Sequence, residues 1–378
     1  MDMSNGCMSR AAFVRKVVAG MAMVAAGMGA ATLSGCGTSG SSDGAHVITD
    51  MAGRKVSVPR NIERVFCTNP IGTVDLYALD PALLCGWNFK PLGDSRSYIP
   101  KKYLDRPALG VWMGSGSTPN AEEIAAQDPD VLLCFWTADD AGAKMADSIA
   151  EDTGMPVLVV DYDIRHLEQA HRFVGKLVGE EGRADKLASF CRGYLDRAVA
   201  IAEAVPESER KSIFLAQGKD GLTTDPVGSM HVTDALEMLH VGNVADLPGT
   251  TGKGMGMPTV NLEQIISWNP DAVIVAEYSM SNAESSDIYG AIVADTHWAN
   301  VPAVAEGRVY RVPQAPFSWF GRPPSVMRAL GCLWLVKVLY PDYAADIDLA
   351  EEARTFYREV LDVEIEDDRL SELLSTAL

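Results

Sequence analysis

One phrase occurs twice in this chain, and it constrains the fold more than any other feature. Asn120-Ala-Glu122-Glu-Ile124-Ala-Ala-Gln-Asp-Pro129-Asp130-Val-Leu returns as Asn261-Leu-Glu263-Gln-Ile265-Ile-Ser-Trp-Asn-Pro270-Asp271-Ala-Val. In each copy an Asn is suited to cap a helix with its side-chain oxygen. An acidic residue follows in the first turn, where the macrodipole favours negative charge. Pro129 and Pro270 cannot continue the amide ladder, and the runs behind them, 131–135 and 272–276, are short and apolar like buried strands. The unit is therefore helix, Pro-Asp turn, parallel strand. Two copies so far apart predict two similar α/β lobes.

The chain has 378 residues, 47% of them hydrophobic, enough for one large or two ordinary cores. A formal net charge of −19 excludes a nucleic-acid binder, whose phosphate contacts need clustered Lys and Arg. Residues 1–35 read as a targeting segment: Arg10, Arg15 and Lys16 form a positive region, and 17–33 is uncharged. It ends in Leu33-Ser34-Gly35-Cys36, which resembles a bacterial lipobox and implies cleavage before Cys36 with acylation of that thiol. The competing reading is an uncleaved membrane span, since 17–33 approaches the minimum length. The Gly/Ser-rich stretch within 36–45 reads as a flexible tether. Cys67, Cys85, Cys134, Cys191 and Cys332 form no C-x-x-C pair and sit mostly in apolar runs, so they read as small buried hydrophobes.

After the tether, the stretch 46–59 alternates and turns at Asp50-Met-Ala-Gly53, predicting a β-hairpin. Strands are expected at 64–68, 83–87, 108–111, 131–135 and 157–160, with a helix at 73–79, in the βαβ rhythm of a mainly parallel sheet. From Ile164 the apolar residues recur at three and four, and the stripe runs to about 202. A second α/β series follows, with a strand at 212–216, a helix at 232–239, the second copy of the repeat, a strand at 308–312 and a helix at 326–339. The stretch 350–378 reads as acidic amphipathic helices packed on the outside.

The stretches Ile48-Thr-Asp-Met-Ala-Gly-Arg-Lys-Val56 before Arg64-Val65, both copies of N-x-E-x-I-x-x-x-x-P-D, Asp220-Gly-Leu-Thr-Thr224 and Phe317-Ser-Trp-Phe-Gly-Arg-Pro-Pro-Ser325 together resemble the substrate-binding lipoproteins of ABC importers, in the class that takes up iron-siderophore complexes, haem and cobalamin. With the lipobox they span nearly the whole mature chain. The resemblance implies an α/β fold of two Rossmann-like lobes with mainly parallel sheets, joined by a long helical bridge, with the ligand cleft between them. The expected division is 1–35 signal peptide, 36–45 tether, 46–163 N-terminal lobe, 164–205 helical bridge and 206–378 C-terminal lobe. The resemblance further implies an extracytoplasmic, lipid-anchored monomer without catalysis or intrinsic cofactor. Its partner would be an ABC permease dimer with its ATPase, engaged through Glu122 and Glu263, though a first-turn Glu is also explained by the helix dipole.

Ligands of open parallel sheets bind beyond the carboxyl ends of the strands. Those ends carry Asn69, Trp87, Trp112 and Trp136 in the first half and Tyr278, Phe317, Trp319 and Arg322 in the second. So many aromatics favour a wide, flat ligand. The order of candidates is an iron-siderophore chelate, then haem or a cobamide, then an oxyanion such as molybdate. Arg322 is suited to grip a planar oxygen pair, or to make a structural ion pair. His231 is a candidate axial ligand to a metal or simply a helix cap. His166 and His171, about 140° apart around a helix, are expected to face solvent. Met255 and Met257 could offer thioethers or pack. The segment around Lys253 lacks a phosphate-loop pattern, and the sequence offers no G-x-S-x-G elbow, no HExxH and no C-x-x-C; the competing classes are a chelatase-like enzyme and a surface lipoprotein without transport.

Overall fold

The computed structural model describes residues 45–112, 119–247, 257–277 and 287–378. Cys36, Lys253, Met255 and Tyr278 lie outside the described residues. The described residues form one compact unit.

The expected hairpin is β1 (His46–Thr49) antiparallel to β2 (Lys55–Val58). Asp50 holds its turn, accepting from the Arg54 N–H and guanidinium, and ties it to the sheet by accepting from the Val159 N–H at 3.0 Å. The first sheet is parallel, in the order β3 (Val65–Cys67), β4 (Val131–Trp136), β5 (Val157–Asp161). Of the two further strands expected there, 83–87 and 108–111, only isolated bridges form, at Val65 with Leu84 and at Trp87 with Ala108. The second sheet contains β6 (Ser212–Ala216), β7 (Gly242–Asn243), β8 (Ala272–Val275) and β9 (Val309–Arg311), all parallel, in the order β7-β6-β8-β9. The central strands β4 and β8 are buried almost throughout, which accounts for their unbroken apolar sequences.

The repeated phrase does the same work in both halves. Asn120 caps α2 (Ala121–Ala125) by accepting from the Glu122 N–H at 2.9 Å; here α1 is the earlier helix Pro70–Leu79. Asn261 accepts from the Gln264 N–H at 2.8 Å at the start of the second helix, Leu262–Trp268. Asp128 and Asn269, each just before the proline, take left-handed φ values of 49° and 48°, a conformation that Asp and Asn tolerate better than most residues. The Asp after each proline then clamps the neighbouring strand. Asp130 Oδ2 accepts from the Glu63 and Arg64 N–H groups at 2.8 Å each, where β3 begins. Asp271 Oδ2 accepts from the Ser212 N–H at 2.8 Å and its hydroxyl at 3.0 Å, where β6 begins.

The helical run expected as one bridge over 164–205 is two helices. After a single 3-10 turn, α4 (Leu167–Val178) ends at Gly179, whose φ of +80° reverses the chain, and α5 (Glu181–Ala204) follows; α3 is Asp140–Thr153 in the first half. Gly175 lets the two helices pack closely, since a Cβ there would lie 2.2 Å from the Ala184 Cβ. α4 packs on β5 and α1, whereas α5, about 36 Å long, also packs on the helix Arg328–Leu339 of the second half.

Several contacts join the halves directly among the described residues, including the edge contact of Tyr98 with Tyr357 and the three that follow. The Phe317 ring lies 5.3 Å from Tyr77 and 6.4 Å from Trp87. Buried Arg328 pairs with Asp234 at 2.6 Å and donates to the Tyr162 carbonyl, while Asp234 accepts from the Ile164 N–H at 2.8 Å. Asp75 on α1 accepts from the Val326 N–H at 2.6 Å. His171, expected in solvent, is buried instead, its Nε2 3.8 Å from Asp75 Oδ2; the apolar stripe of α4 turns it inward with Ala170 and Val174. His166 remains half-exposed and pairs with Asp161 at 2.8 Å. The C-terminal helices Leu349–Leu361 and Asp367–Leu374 are amphipathic, but Phe356 and Tyr357 of the first are wholly buried, so that helix belongs to the core. The five described cysteines are free and buried, and burial pushes each thiol's pKa up.

Two predictions follow from these joints. Asp130→Ala and Asp271→Ala each remove a charged acceptor from a strand entry and should lower stability by about 2 kcal/mol, measured by urea unfolding. The second concerns Asp75 and His171. Burial raises the Asp75 pKa from 3.8 to about 7, partly opposed by the Val326 N–H and Arg328; burial, then Arg183, lowers that of His171 from 6.5 to about 4. Asp75 thus favours the fold below pH 3.8 and loses that contribution as pH rises through about 7. His171 favours it above pH 6.5 and loses that as pH falls towards 4. Between about pH 4 and 6.5 the effects offset, because the folded chain carries on Asp75 the proton that the unfolded chain carries on His171. Asp75→Asn removes the compensation, so its stability should fall by up to about 1.4 kcal/mol per unit of acidification below pH 6.5 relative to wild type, read from melting profiles at pH 5 to 7.5.

Candidate functional site

Beyond the carboxyl end of β6 the chain stays polar. Gln217 makes a two-residue bridge with Thr223, closed by a turn in which Gly218 and Gly221 both have φ of +77°. A Cβ at Gly218 would lie 2.4 Å from the Thr223 hydroxyl oxygen, so this turn requires glycine twice over. The strand-like pairing ends at Thr224, and Asp225 enters the interior with no exposure.

Asp225 organises the site. Oδ2 accepts from Gln217 Nε2 at 2.9 Å and Arg322 Nε at 3.1 Å; Oδ1 accepts from the Ser229 hydroxyl at 2.7 Å and Arg322 Nη2 at 2.6 Å. Burial by itself would raise its pKa, but Arg322, His231 and the Ser229 hydroxyl outweigh burial and hold the carboxyl below its ordinary value. A buried carboxylate with four donors and a two-pronged guanidinium is a stable charged pair. It fixes Arg322, whose side chain is 15% exposed, at the edge of the group.

Among the described residues, several buried polar atoms without a hydrogen-bond partner belong to the segments that supply this pair and its neighbours. They include Gln217 Oε1, the hydroxyls of Thr224, Thr233 and Ser325, and both ring nitrogens of His231. His231 is 5% exposed and uses only its backbone N–H, which donates to the Ser229 hydroxyl at 3.3 Å. Each buried polar group left unpaired costs about 1–3 kcal/mol. These atoms are candidates to meet a polar ligand. No group of three or more His, Cys, Asp or Glu suited to a metal ion occurs among the described residues.

The residues singled out from sequence separate into four sets. Arg322 and His231 join Asp225 in the polar group. Asn69, Trp87 and Trp319 are absorbed by the fold. Asn69 caps α1 and donates to the Phe135 carbonyl at 2.8 Å; Trp87 and Trp319 are fully enclosed, their N–H groups bound to the Tyr103 carbonyl and the Tyr357 hydroxyl. Phe317 is likewise fully buried against Tyr77 and Trp87. Trp112 and Trp136 are half-buried; Trp112 packs on Phe66 with ring centres 6.4 Å apart, and Trp136 ends β4. Glu122 and Glu263 are exposed in the first turns of equivalent helices. Sequence reasoning missed Asp225 and Gln217. The signal for Gln217 is an amide at the end of an apolar strand, Ile213-Phe-Leu-Ala-Gln217.

Two parallel sheets, a helix packed against both halves and a buried polar group beyond a strand end are the architecture of a two-lobed solute receptor. Residues 67–316 match the periplasmic binding protein family, and the chain belongs to it. It is a substrate-binding protein of an ABC transporter, in the class with a helical bridge, and its relatives are solute carriers and not enzymes. The molybdate-binding protein MolA of Haemophilus influenzae is 25% identical over 344 residues, 82% of this chain and 90% of that one. The ferric enterobactin-binding periplasmic protein FepB of Escherichia coli is 26% identical over 178 residues, 45% of this chain and 52% of that one. Among solved structures, an ABC transporter solute binding protein from Sulfurospirillum deleyianum has a TM-score of 0.76 at 27% identity, covering 87% of this chain and 99% of that one. Among the described residues no helix is long and apolar enough to cross a membrane.

Proposed function

We propose that this receptor captures a small oxyanion, with molybdate as the leading candidate, in the recess around Asp225, Arg322 and His231. The observation that carries the reading is the set of buried, unpartnered hydroxyl and imidazole groups. Hydroxyls and a ring N–H suit a compact ligand with many acceptor oxygens, and in a low-dielectric recess neutral donors hold an anion effectively. The enclosure of Trp87 and Trp319 removes two of the aromatics that favoured a wide ligand. MolA, similar over most of this chain, carries molybdate binding in its name.

A ferric chelate of the siderophore type is the second reading, with haem and a cobamide behind it. It is favoured by Trp112 and Trp136, both half-buried near the ends of the first lobe's strands, and by the likeness to FepB. The rest of the proposal concerns delivery. The chain is anchored to the outer face of the cell membrane by lipid on Cys36 and acts as a monomer. It docks on an ABC permease dimer through Glu122 and Glu263, whose equivalent exposed positions suit a partner with two basic patches.

Titration calorimetry of the purified protein against molybdate, tungstate, ferric siderophores, haemin and cobalamin separates these readings. Molybdate should bind saturably, and a response to siderophores alone would transfer the assignment to the second reading. Docking is tested by reversing both charges. Glu122→Lys with Glu263→Lys should leave ligand affinity unchanged and reduce uptake at least tenfold, whereas undiminished uptake would remove the glutamates from the interface.

A further inference from the structure

His231 and His171 are both nearly enclosed with neither ring nitrogen hydrogen-bonded, but of the two only His231 adjoins the Asp225–Arg322 pair. His231 sits at the entrance to α6 (Thr233–Met238), one turn from Ser229 of the polar group. The charges that act on it come from four residues. Asp225 and Arg322 belong to the polar group; Asp234 and Arg328 belong to the clasp between the halves. These are two ion pairs, each closed at 2.6 Å, so their fields on the ring largely cancel. Desolvation then dominates and lowers the ring's pKa to about 4, which keeps it neutral at physiological pH.

A neutral imidazole has one N–H donor and one lone pair. A ligand that offers only acceptor oxygens is attracted by the donor and repelled by the lone pair. Placing such a dianion against the ring upsets the balance of the two ion pairs by adding unpaired negative charge. The same low dielectric that disfavours imidazolium in the free protein then strengthens its attraction to the ligand. Protonation converts the lone pair into a second donor.

We propose that His231 contacts the ligand and takes up one proton from solvent when a fully deprotonated oxyanion enters the recess, so that capture is proton-coupled. This rests on the oxyanion reading above. The balance is simple: neutral His231, one proton and the dianion give imidazolium paired with the dianion, and no covalent bond changes. By linkage, affinity rises by up to about tenfold for each unit of acidification between the ring's pKa in the free and bound states. A rise in pH at the site favours release.

The test is calorimetry of molybdate binding at pH 7 in Tris and in PIPES, whose different ionisation enthalpies report protons exchanged, repeated from pH 6 to 8, where molybdate stays fully deprotonated. Wild type should take up close to one proton per molybdate and bind more tightly at pH 6 than at pH 8. His231→Gln, with its fold checked by circular dichroism, should bind more weakly, with uptake near zero and little pH dependence. NMR of ring-labelled histidine provides a readout that needs no variant, since one buried histidine should turn to imidazolium on addition of molybdate. Binding without proton uptake in wild type, or unchanged uptake in His231→Gln, overturns the proposal and leaves the oxyanion reading standing. Absence of molybdate binding overturns both.

Discussion

The carboxylate after each repeated proline holds the architecture together. A parallel sheet has no hairpin to set its register, so each strand must be located from outside. Asp130 and Asp271 do this by gripping the first amides of β3 and β6 from the turn that launches the adjacent strand. The left-handed residue before each proline aims that turn, and the proline keeps the helix from running on. Because the same device serves both sheets, their strand ends emerge in equivalent positions, and the loops beyond them are free to diverge. The polar group around Asp225 is one such divergence.

The joint between the halves is built differently. It combines an aromatic cluster at Phe317, an ion pair at Arg328 and a hydrogen bond from Val326, and two of these three involve buried charge or potential charge. Buried ion pairs contribute little net stability, but breaking one costs several kcal/mol, which makes them better at fixing an arrangement than at strengthening it. Asp234 is central, since it bonds at once to Arg328 and to the backbone where the chain enters α4. The orientation of the helices that connect the halves is thereby tied to side chains whose charges also act on His231.

Most of the fold was legible in sequence because its signals are local. The hairpin turn, the central strands, the caps and the repeat all follow from neighbours along the chain. The edge positions 83–87 and 108–111 were read as strands from their apolar content, yet they bury that content in loops. The helical run hid its reversal, because Gly179 breaks the backbone while the apolar stripe continues on both sides. The site was harder to read for a related reason. Trp87, Trp319 and Phe317 read as a ligand platform, but residues distant in sequence cover them, Phe317 and Trp87 each other and Tyr357 the Trp319 ring, and no local pattern reports that burial. Asp225 was invisible because its partners come from three separate segments, at Gln217, Ser229 and Arg322.

The buried cysteines bear on how such a protein comes to exist at all. Five thiols cannot all pair with one another, and none is paired in the native state. Once folded, each is sealed in the core with its ionisation suppressed, and the thiolate is the species that reacts with oxidants and disulfides. The unfolded chain has no such shelter. In an oxidising compartment the tertiary structure itself therefore acts as the antioxidant, and folding is a race against the first wrong disulfide.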